Sequence, residues 1–179
     1  DGFVVIGKGA EQMANVLSKG YKKSMKEAAE LMNDAGETFE DMGKAFQLAY
    51  GTTAKTFGPV MKDLGAGATE IAGELKKVFS TSTKDVAKVL DDIGESPEAV
   101  AGALKSAYKQ SAKQVAQTFK NMGKDATNIA KGLKSAFKQS TKDVAKTLDA
   151  VGIDSGEVGK ALRYAYKQSA KNVAKTMKD

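Results

Sequence analysis

The feature that most constrains the fold of this chain is a sequence repeat with a constant step of 29 residues. The segment "KSAYKQSAKQVAQTFKNMG" at 105–123 returns as "KSAFKQSTKDVAKTLDAVG" at 134–152. A fixed period of this length is typical of stacked repeats, in which each unit buries its apolar face only against its neighbours. Glycines recur at the same step, at Gly7, Gly36, Gly65, Gly94, Gly123 and Gly152.

Each repeat is predicted to contain two short helices. The first begins at a hydroxyl residue, because a serine or threonine side chain accepts from the unpaired backbone N–H groups of a helix start. It ends at the repeating glycine, which adopts a left-handed conformation at little cost. Glu27 and Gln114 stand at capping-box spacing from Ser24 and Ser111. The hydroxyl positions are Ser24, Thr53, Ser82, Ser111, Ser140 and Ser169.

The second helix is predicted to begin two residues after each glycine. Pro97 then falls at a first helical position, where proline is favoured, and Val100 and Leu104 begin a buried stripe. The predicted N-cap residues are Gly9, Thr38, Gly67, Ser96, Asp125 and Asp154. An interior glycine costs about 1 kcal/mol relative to alanine, so glycines inside these helices predict closely approaching neighbours. They are Gly43, Gly73, Gly102, Gly132 and Gly159.

The pattern predicts an all-α fold, an αα-solenoid of about six helix-turn-helix repeats forming a single array over 1–179. Val4 and Val5 of "FVVIG" depart from the pattern, and we expect an apolar end cap there or continuation into a further unit. Because the pattern is cut at both ends, we expect a segment of a longer array. The repeat units are 8–36, 37–65, 66–94, 95–123, 124–152 and an incomplete 153–179.

The composition argues against enzyme chemistry. The chain has no histidine and no cysteine, which removes the usual proton-transfer group, thiolate nucleophiles and most metal-site patterns. Asp91 and Asp92 are adjacent, and on a helix they point about 100° apart, so they cannot flank a substrate as a pair. We predict that the chain is not an enzyme and binds no cofactor or metal. No apolar run approaches the roughly 18 residues of a membrane span, so no membrane insertion is expected.

Lysine is the strongest functional signal. The net charge is +6, with residues 1–65 and 66–94 each at −1 and the last three repeats at +2, +3 and +3. A basic edge of this kind could bind a polyanion or an acidic partner, and with Arg163 as the single arginine it would contact nucleic-acid backbone rather than bases. The alternative is a solvated helix turn, compensated by neighbouring acids. The candidate residues are Lys84, Lys105, Lys109, Lys113, Lys134, Lys138, Lys142, Lys167 and Lys171.

An aromatic residue also recurs at the 29-residue step. Such rings could stack on bases or sugars, but phenylalanine replaces tyrosine in two of six repeats, which favours rings that seal the end of a buried stripe. The positions are Tyr21, Tyr50, Phe79, Tyr108, Phe137 and Tyr166.

The segments "SAKQVAQTFKNMG" and "SPEAVAGALKSAYKQ" resemble the short α-helical tandem repeats, of the form S-x-x-x-V-A-x-x-L, of large bacterial surface or secreted proteins. The resemblance implies a spacer or adhesive, partner-binding module of a larger, extracellular or surface polypeptide. The architecture is also similar to TPR-like and DNA-reading αα-solenoids, but the period is shorter than the roughly 34 residues of TPR units and the TPR signature W-x-x-L-G is absent.

Three functional hypotheses follow. The first is a non-enzymatic scaffold, a structural spacer or protein-interaction module in which the repeated residues serve folding and the varied exposed ones choose partners. The second is binding of a polyanion or nucleic-acid backbone by the lysine-rich C-terminal repeats. The third is self-assembly end to end into oligomers or filaments.

Overall fold

The computed structural model describes residues 9–178, and within that range it contains helices and no strand. The all-α repeat fold predicted from the sequence is confirmed. Gly7, Val4 and Val5, for which the sequence predicts a helix stop and an end cap, lie outside the described residues. The helices are α1 Ala10–Asn15, which continues as a π-helical segment Val16–Gly20, α2 Met25–Asp34, α3 Phe39–Tyr50, α4 Ala54–Asp63, α5 Ala68–Phe79, α6 Thr83–Asp92, α7 Pro97–Tyr108, α8 Ala112–Asn121, α9 Ala126–Phe137, α10 Thr141–Ala150, α11 Ser155–Tyr166 and α12 Ala170–Lys178.

Two kinds of helix alternate along the chain. The odd-numbered helices from α3 to α11 have 12 residues and are called the long helices; the even-numbered ones from α2 to α10 have 10 and, with α12, are called the short helices. α1 and the π-helical segment take the place of the long helix in the first repeat, because Ala10 stands 29 residues before Phe39.

The short helices begin and end where the sequence predicts. The side chain of Ser140 accepts a hydrogen bond from the backbone N–H of Asp143, and capping boxes form at Ser24 with Glu27 and at Ser111 with Gln114. The repeating glycine follows each of the first five short helices in a left-handed conformation, at φ of 85°, 91°, 79°, 77° and 73°. The local capping signals are therefore sufficient to bound these helices.

A second left-handed position closes the long helices, and the sequence interpretation missed it. It also recurs at a step of 29 residues, and glycine occupies it only at Gly51. The other members are Lys22, Ser80, Lys109, Lys138 and Lys167, with φ between 51° and 56°. Gly51 is the one residue whose type could have indicated this turn from the sequence.

The chain divides into two compact units. The first comprises the residues up to Gly67 together with Glu74–Thr81, and the second comprises Ala68–Gly73 and the residues from Ser82 onward. In the first unit α1 packs on α3, and the ring of Phe46 meets the ring of Phe57 edge to face, with centroids 6.0 Å apart. In the second unit α9 packs between α7 and α11, and α10 packs between α8 and α12.

Close helix approach explains two of the five interior glycines. A Cβ atom on Gly132 would lie 3.0 Å from the Cβ of Ala101, and one on Gly43 would lie 3.1 Å from Val78. The expectation is wrong at Gly73 and Gly102, where a Cβ atom would meet nothing within 4 Å. At Gly159 the nearest atom would be at 3.6 Å, an ordinary contact.

Candidate functional site

All nine candidate lysines belong to the second unit and are exposed to solvent. They fall into three structural groups around the turn that joins a long helix to the next short helix. Lys105 and Lys134 lie in the last turns of α7 and α9. Three others cap the C-terminal ends of long helices, namely Lys109, Lys138 and Lys167. The remaining four lie in the first turns of short helices, namely Lys84, Lys113, Lys142 and Lys171.

Lys105 and Lys134 are engaged by the repeat that follows them. The ammonium of Lys105 donates to the carbonyl oxygen of Ala136 at 2.7 Å, and that of Lys134 donates to Ala165 at 3.0 Å. The two ammonium groups also lie 5.1 Å and 4.8 Å from the aromatic rings of Phe137 and Tyr166. These two lysines therefore join consecutive repeats by capping a helix C-terminus, where carbonyl groups lack intrahelical partners.

The same contact occurs with other residue types in the first unit. The Ser18 hydroxyl donates to the carbonyl oxygen of Ala49 at 3.4 Å, and the Gln47 amide donates to that of Val78 at 3.3 Å. In every case the acceptor lies 31 residues after the donor. We call the donor position, which is occupied in chain order by Ser18, Gln47, Lys76, Lys105, Lys134 and Arg163, the stapling position.

The three capping lysines hold a strained backbone conformation. Lys109, Lys138 and Lys167 have φ of 56°, 55° and 54°. A left-handed conformation costs a residue with a side chain roughly 1–2 kcal/mol, and glycine avoids that cost. A lysine at this place gains a favourable interaction with the negative end of the helix dipole, which offsets only part of it.

The four first-turn lysines make no hydrogen bond or ion pair with another residue of the 9–178 range. In the first unit the equivalent Lys26 is paired with Asp63 at 2.6 Å. Two of these lysines stand beside an acid, Asp85 or Asp143, and both acids are occupied by caps. The Ser140 hydroxyl donates to Asp143 at 2.6 Å, and this bond, with the Ser140 backbone N–H, lowers the pKa of that carboxyl. A cation at a helix N-terminus faces the positive end of the helix dipole, so the helix ends do not stabilise these four ammonium groups.

An open groove lies at the C-terminal ends of α9 and α11. Its volume is about 650 Å³, and it exposes 62% of Tyr164 beside three lysine side chains. Sequence reasoning did not find this groove, because its walls come from three repeats; the tyrosine at a position held by Ser106 and Ser135 in the two preceding repeats was the only signal. The lining residues are Glu98, Lys131, Lys134, Ser135, Lys138, Gln139, Tyr164, Ala165 and Tyr166.

The aromatic residues that recur at 29-residue steps close the turns from inside. The hydroxyl of Tyr166 donates to the carbonyl oxygen of Gln139 at 2.7 Å, and that of Tyr50 donates to Lys23 at 3.2 Å. Burial raises the pKa of Tyr166 to about 12 and that of Tyr108 to about 12. These rings are half-buried, except Tyr21, which is 58% exposed.

No three His, Cys, Asp or Glu side chains of residues 9–178 cluster closely enough to hold a metal ion. None of the helices in the described part of the chain has the length and apolar character that a membrane crossing requires. No known protein family and no curated protein sequence matches this chain.

Proposed function

We propose that this chain is a non-enzymatic helical-repeat scaffold that binds protein partners along its long helices. The observation that carries the proposal is the groove beside Tyr164, which combines an exposed aromatic ring with the lysine side chains of Lys131 and Lys138. Exposed aromatic rings are typical anchors of protein-binding surfaces, and lysines at the rim favour a partner segment that carries acidic as well as apolar side chains.

The division of labour among residues supports a scaffold role. The capping residues and the left-handed glycines recur because they bound the helices, and the stapling contact recurs, with different donor residues, because it joins consecutive repeats. Position 164 instead varies between repeats, from Ser106 and Ser135 to Tyr164, while remaining exposed in all three. Varied exposed residues on a repeated framework are what a partner-binding scaffold requires, and a scaffold is also what the resemblance to bacterial surface repeats implies.

Selection from a library of random peptides displayed on phage tests this proposal. We expect enriched peptides to combine acidic with apolar residues, and their binding to be lost in the variants Tyr164→Ala and Lys138→Glu. Leu48→Ala is the matched control, because Leu48 is 69% exposed at the equivalent position of the first unit. Failure to enrich any peptide, or equal binding by Tyr164→Ala, would contradict the proposal.

A second candidate function is binding of a polyanion backbone by the lysines that cap the long helices. It is favoured by a specific observation: Lys109, Lys138 and Lys167 occupy a left-handed position that glycine fills at lower cost, and they make no ion pair with residues 9–178. Non-glycine residues with strained backbone conformations occur often at functional sites, which favours a binding role for these three lysines.

A salt titration of heparin and duplex DNA binding tests the second candidate. We expect affinity at about 50 mM salt that falls steeply by about 200 mM, and a salt slope reduced by about 1 for each capping lysine removed. The triple variant Lys109→Gln, Lys138→Gln, Lys167→Gln should therefore bind far more weakly than a control with the same net charge. In that control, glutamine replaces the exposed Lys88, Lys146 and Lys175 of the short helices. Equal loss in both variants would indicate nonspecific attraction and contradict a site at the turns.

A further inference from the structure

Glu98 is the one carboxylate among the residues that line the groove beside Tyr164. It lies in the first turn of α7 and is half-buried. Its side chain makes no hydrogen bond and no ion pair within residues 9–178, although Lys131 and Lys138 line the same groove. A groove with an excess of cations therefore also contains a negative charge that no cation of the chain contacts.

The glutamate at the equivalent position two repeats earlier has two lysine partners. The carboxylate of Glu40 accepts a hydrogen bond from Lys44, one turn further along α3, at 2.6 Å. It also pairs with Lys77 of the next long helix, α5. The bonds to Lys44 and Lys77 lower the pKa of Glu40. In that repeat, cations at two fixed places compensate the glutamate from inside the chain.

Both of these lysines are missing around Glu98. Gly102 stands at the place of Lys44, and Ser135 stands at the place of Lys77. A Cβ atom on Gly102 would meet nothing within 4 Å, so the space of the missing side chain is open. Ser135 is exposed in the groove, and its hydroxyl makes no hydrogen bond within the described range. A carboxylate and a hydroxyl, both of which accept hydrogen bonds, thus line a place that an internal cation fills in another repeat.

We propose that Glu98 and Ser135 form a subsite of this groove that binds a basic side chain, lysine or arginine, of the partner segment. The ammonium or guanidinium group donates to the carboxylate of Glu98 and to the hydroxyl of Ser135. It takes the place that Lys77 takes beside Glu40. An acidic residue of the same segment contacts Lys138, so the partner carries both signs of charge. Two subsites of opposite charge also fix the direction in which the segment lies in the groove.

This inference rests on the proposed scaffold function, because it specifies the chemistry of the segment that the groove binds. Selection from the same random peptide library, followed by sequencing of the enriched pools, tests it. On the wild-type chain we expect a lysine or arginine at a fixed spacing from the acidic residues. On Glu98→Gln we expect acidic and apolar residues to remain enriched and the basic residue to be lost. Enrichment on the variant also shows that the variant is folded.

Two further variants serve as matched controls. Glu40→Gln makes the same change at the equivalent position, outside the groove, and its enriched pool should match that of the wild type. The double variant Gly102→Lys, Ser135→Lys restores the two lysines that surround Glu40 in the first unit. Its internal cations should occupy Glu98, so its pool should lose the basic residue as the Glu98→Gln pool does.

Titration calorimetry with a synthetic peptide of the most enriched wild-type sequence measures the size of the effect. We expect Glu98→Gln to bind this peptide about tenfold more weakly than the wild type, the effect of losing one charged hydrogen bond. A peptide with methionine in place of its basic residue should bind both chains equally, because the interaction that distinguishes them is absent.

The two proposals fail in different ways. A wild-type pool with acidic and apolar residues but no basic one would overturn the subsite and leave the scaffold proposal standing. The same basic preference on Glu98→Gln would do so too. Failure of the wild-type chain to enrich any peptide would overturn both proposals.

Discussion

The ammonium group of Lys105 lies 2.7 Å from the backbone carbonyl oxygen of Ala136, 31 residues further along the chain. It also lies 5.1 Å from the ring of Phe137. Lys134 makes the same pair of contacts one repeat later, so the arrangement belongs to the repeat and not to one pair of residues. A side chain of one long helix thus satisfies the C-terminal carbonyl groups of the next, which links the ends of helices as well as their apolar faces.

Replacing the stapling lysine should weaken the fold measurably. We expect Lys105→Met to lower the free energy of unfolding by about 1 kcal/mol, because one charged hydrogen bond at an exposed site and a cation–π contact are lost. Urea denaturation followed by circular dichroism measures the change. The control is Lys131→Met on α9, an exposed helical lysine that makes no ion pair within residues 9–178, and it should be neutral within about 0.5 kcal/mol. Equal effects of the two substitutions would show that the Ala136 contact contributes no stability.

Glycine at the left-handed position should stabilise the second unit. Lys138→Gly is expected to raise the free energy of unfolding by about 1 kcal/mol, since Lys138 has φ of 55° and glycine adopts this conformation without strain. The reverse change, Gly51→Ala, should lower it by a similar amount. Both effects are measured by chemical denaturation.

A glycine inside a helix provides the control for that prediction. Lys131→Gly should lower the free energy of unfolding by about 1 kcal/mol, because glycine is a poor helix former. Opposite signs at two lysines seven residues apart would show that backbone conformation, and not loss of charge, determines the outcome. A destabilised Lys138→Gly variant would contradict the account of strain.

The helix boundaries that could be predicted from sequence are those that depend on local chemistry. Ser140 caps the start of α10, and Gly152 follows its end in a left-handed conformation. Serine is a favoured N-cap residue and glycine a favoured left-handed residue, so both roles can be predicted from residue type. The end of α9 could not be predicted, because Lys138 is an unfavourable residue for the conformation that it holds. There the packing of the repeats overrides local preference.

The candidate site was predicted only in part, for a related reason. Lys105 and Lys109 look equivalent in the sequence, which predicts that both are available cations. The Lys105 ammonium instead donates a hydrogen bond to a backbone carbonyl group 31 residues away. Because every residue type has a backbone carbonyl group, the sequence does not indicate which one accepts such a bond. The groove at Tyr164 depends on residues from three repeats, so a pattern read along one repeat could not reveal it.

Two glycines of the long helices should respond oppositely to alanine. In Gly132→Ala the new Cβ atom would lie 3.0 Å from Ala101 and 3.1 Å from the carbonyl oxygen of Pro97, so we expect a loss of about 1–3 kcal/mol from overpacking. In Gly102→Ala nothing lies within 4 Å, and the better helix propensity of alanine should add about 0.5–1 kcal/mol. Thermal and urea unfolding of the pair measure both signs. A stabilised Gly132→Ala variant would contradict the close approach of α7 and α9.

The hydroxyl of Tyr166 should make folding stability depend on alkaline pH. Burial, with the nearby charge of Asp143, raises the pKa of Tyr166 to about 12, whereas a tyrosine in an unfolded chain titrates near about 10. Because the folded state holds the proton more tightly, this contribution to stability is complete below about pH 10 and is lost as the pH rises toward 12. We expect Tyr166→Phe to be less stable than the wild type at pH 8, since the bond to Gln139 is absent, and the difference to shrink between pH 10 and 12. Urea denaturation at a series of pH values measures this difference in stability.

Tyr164→Phe is the control at pH 8, where it should match the wild type because the Tyr164 hydroxyl makes no hydrogen bond within residues 9–178. A difference between Tyr166→Phe and the wild type that stayed constant across the alkaline range would contradict the raised pKa.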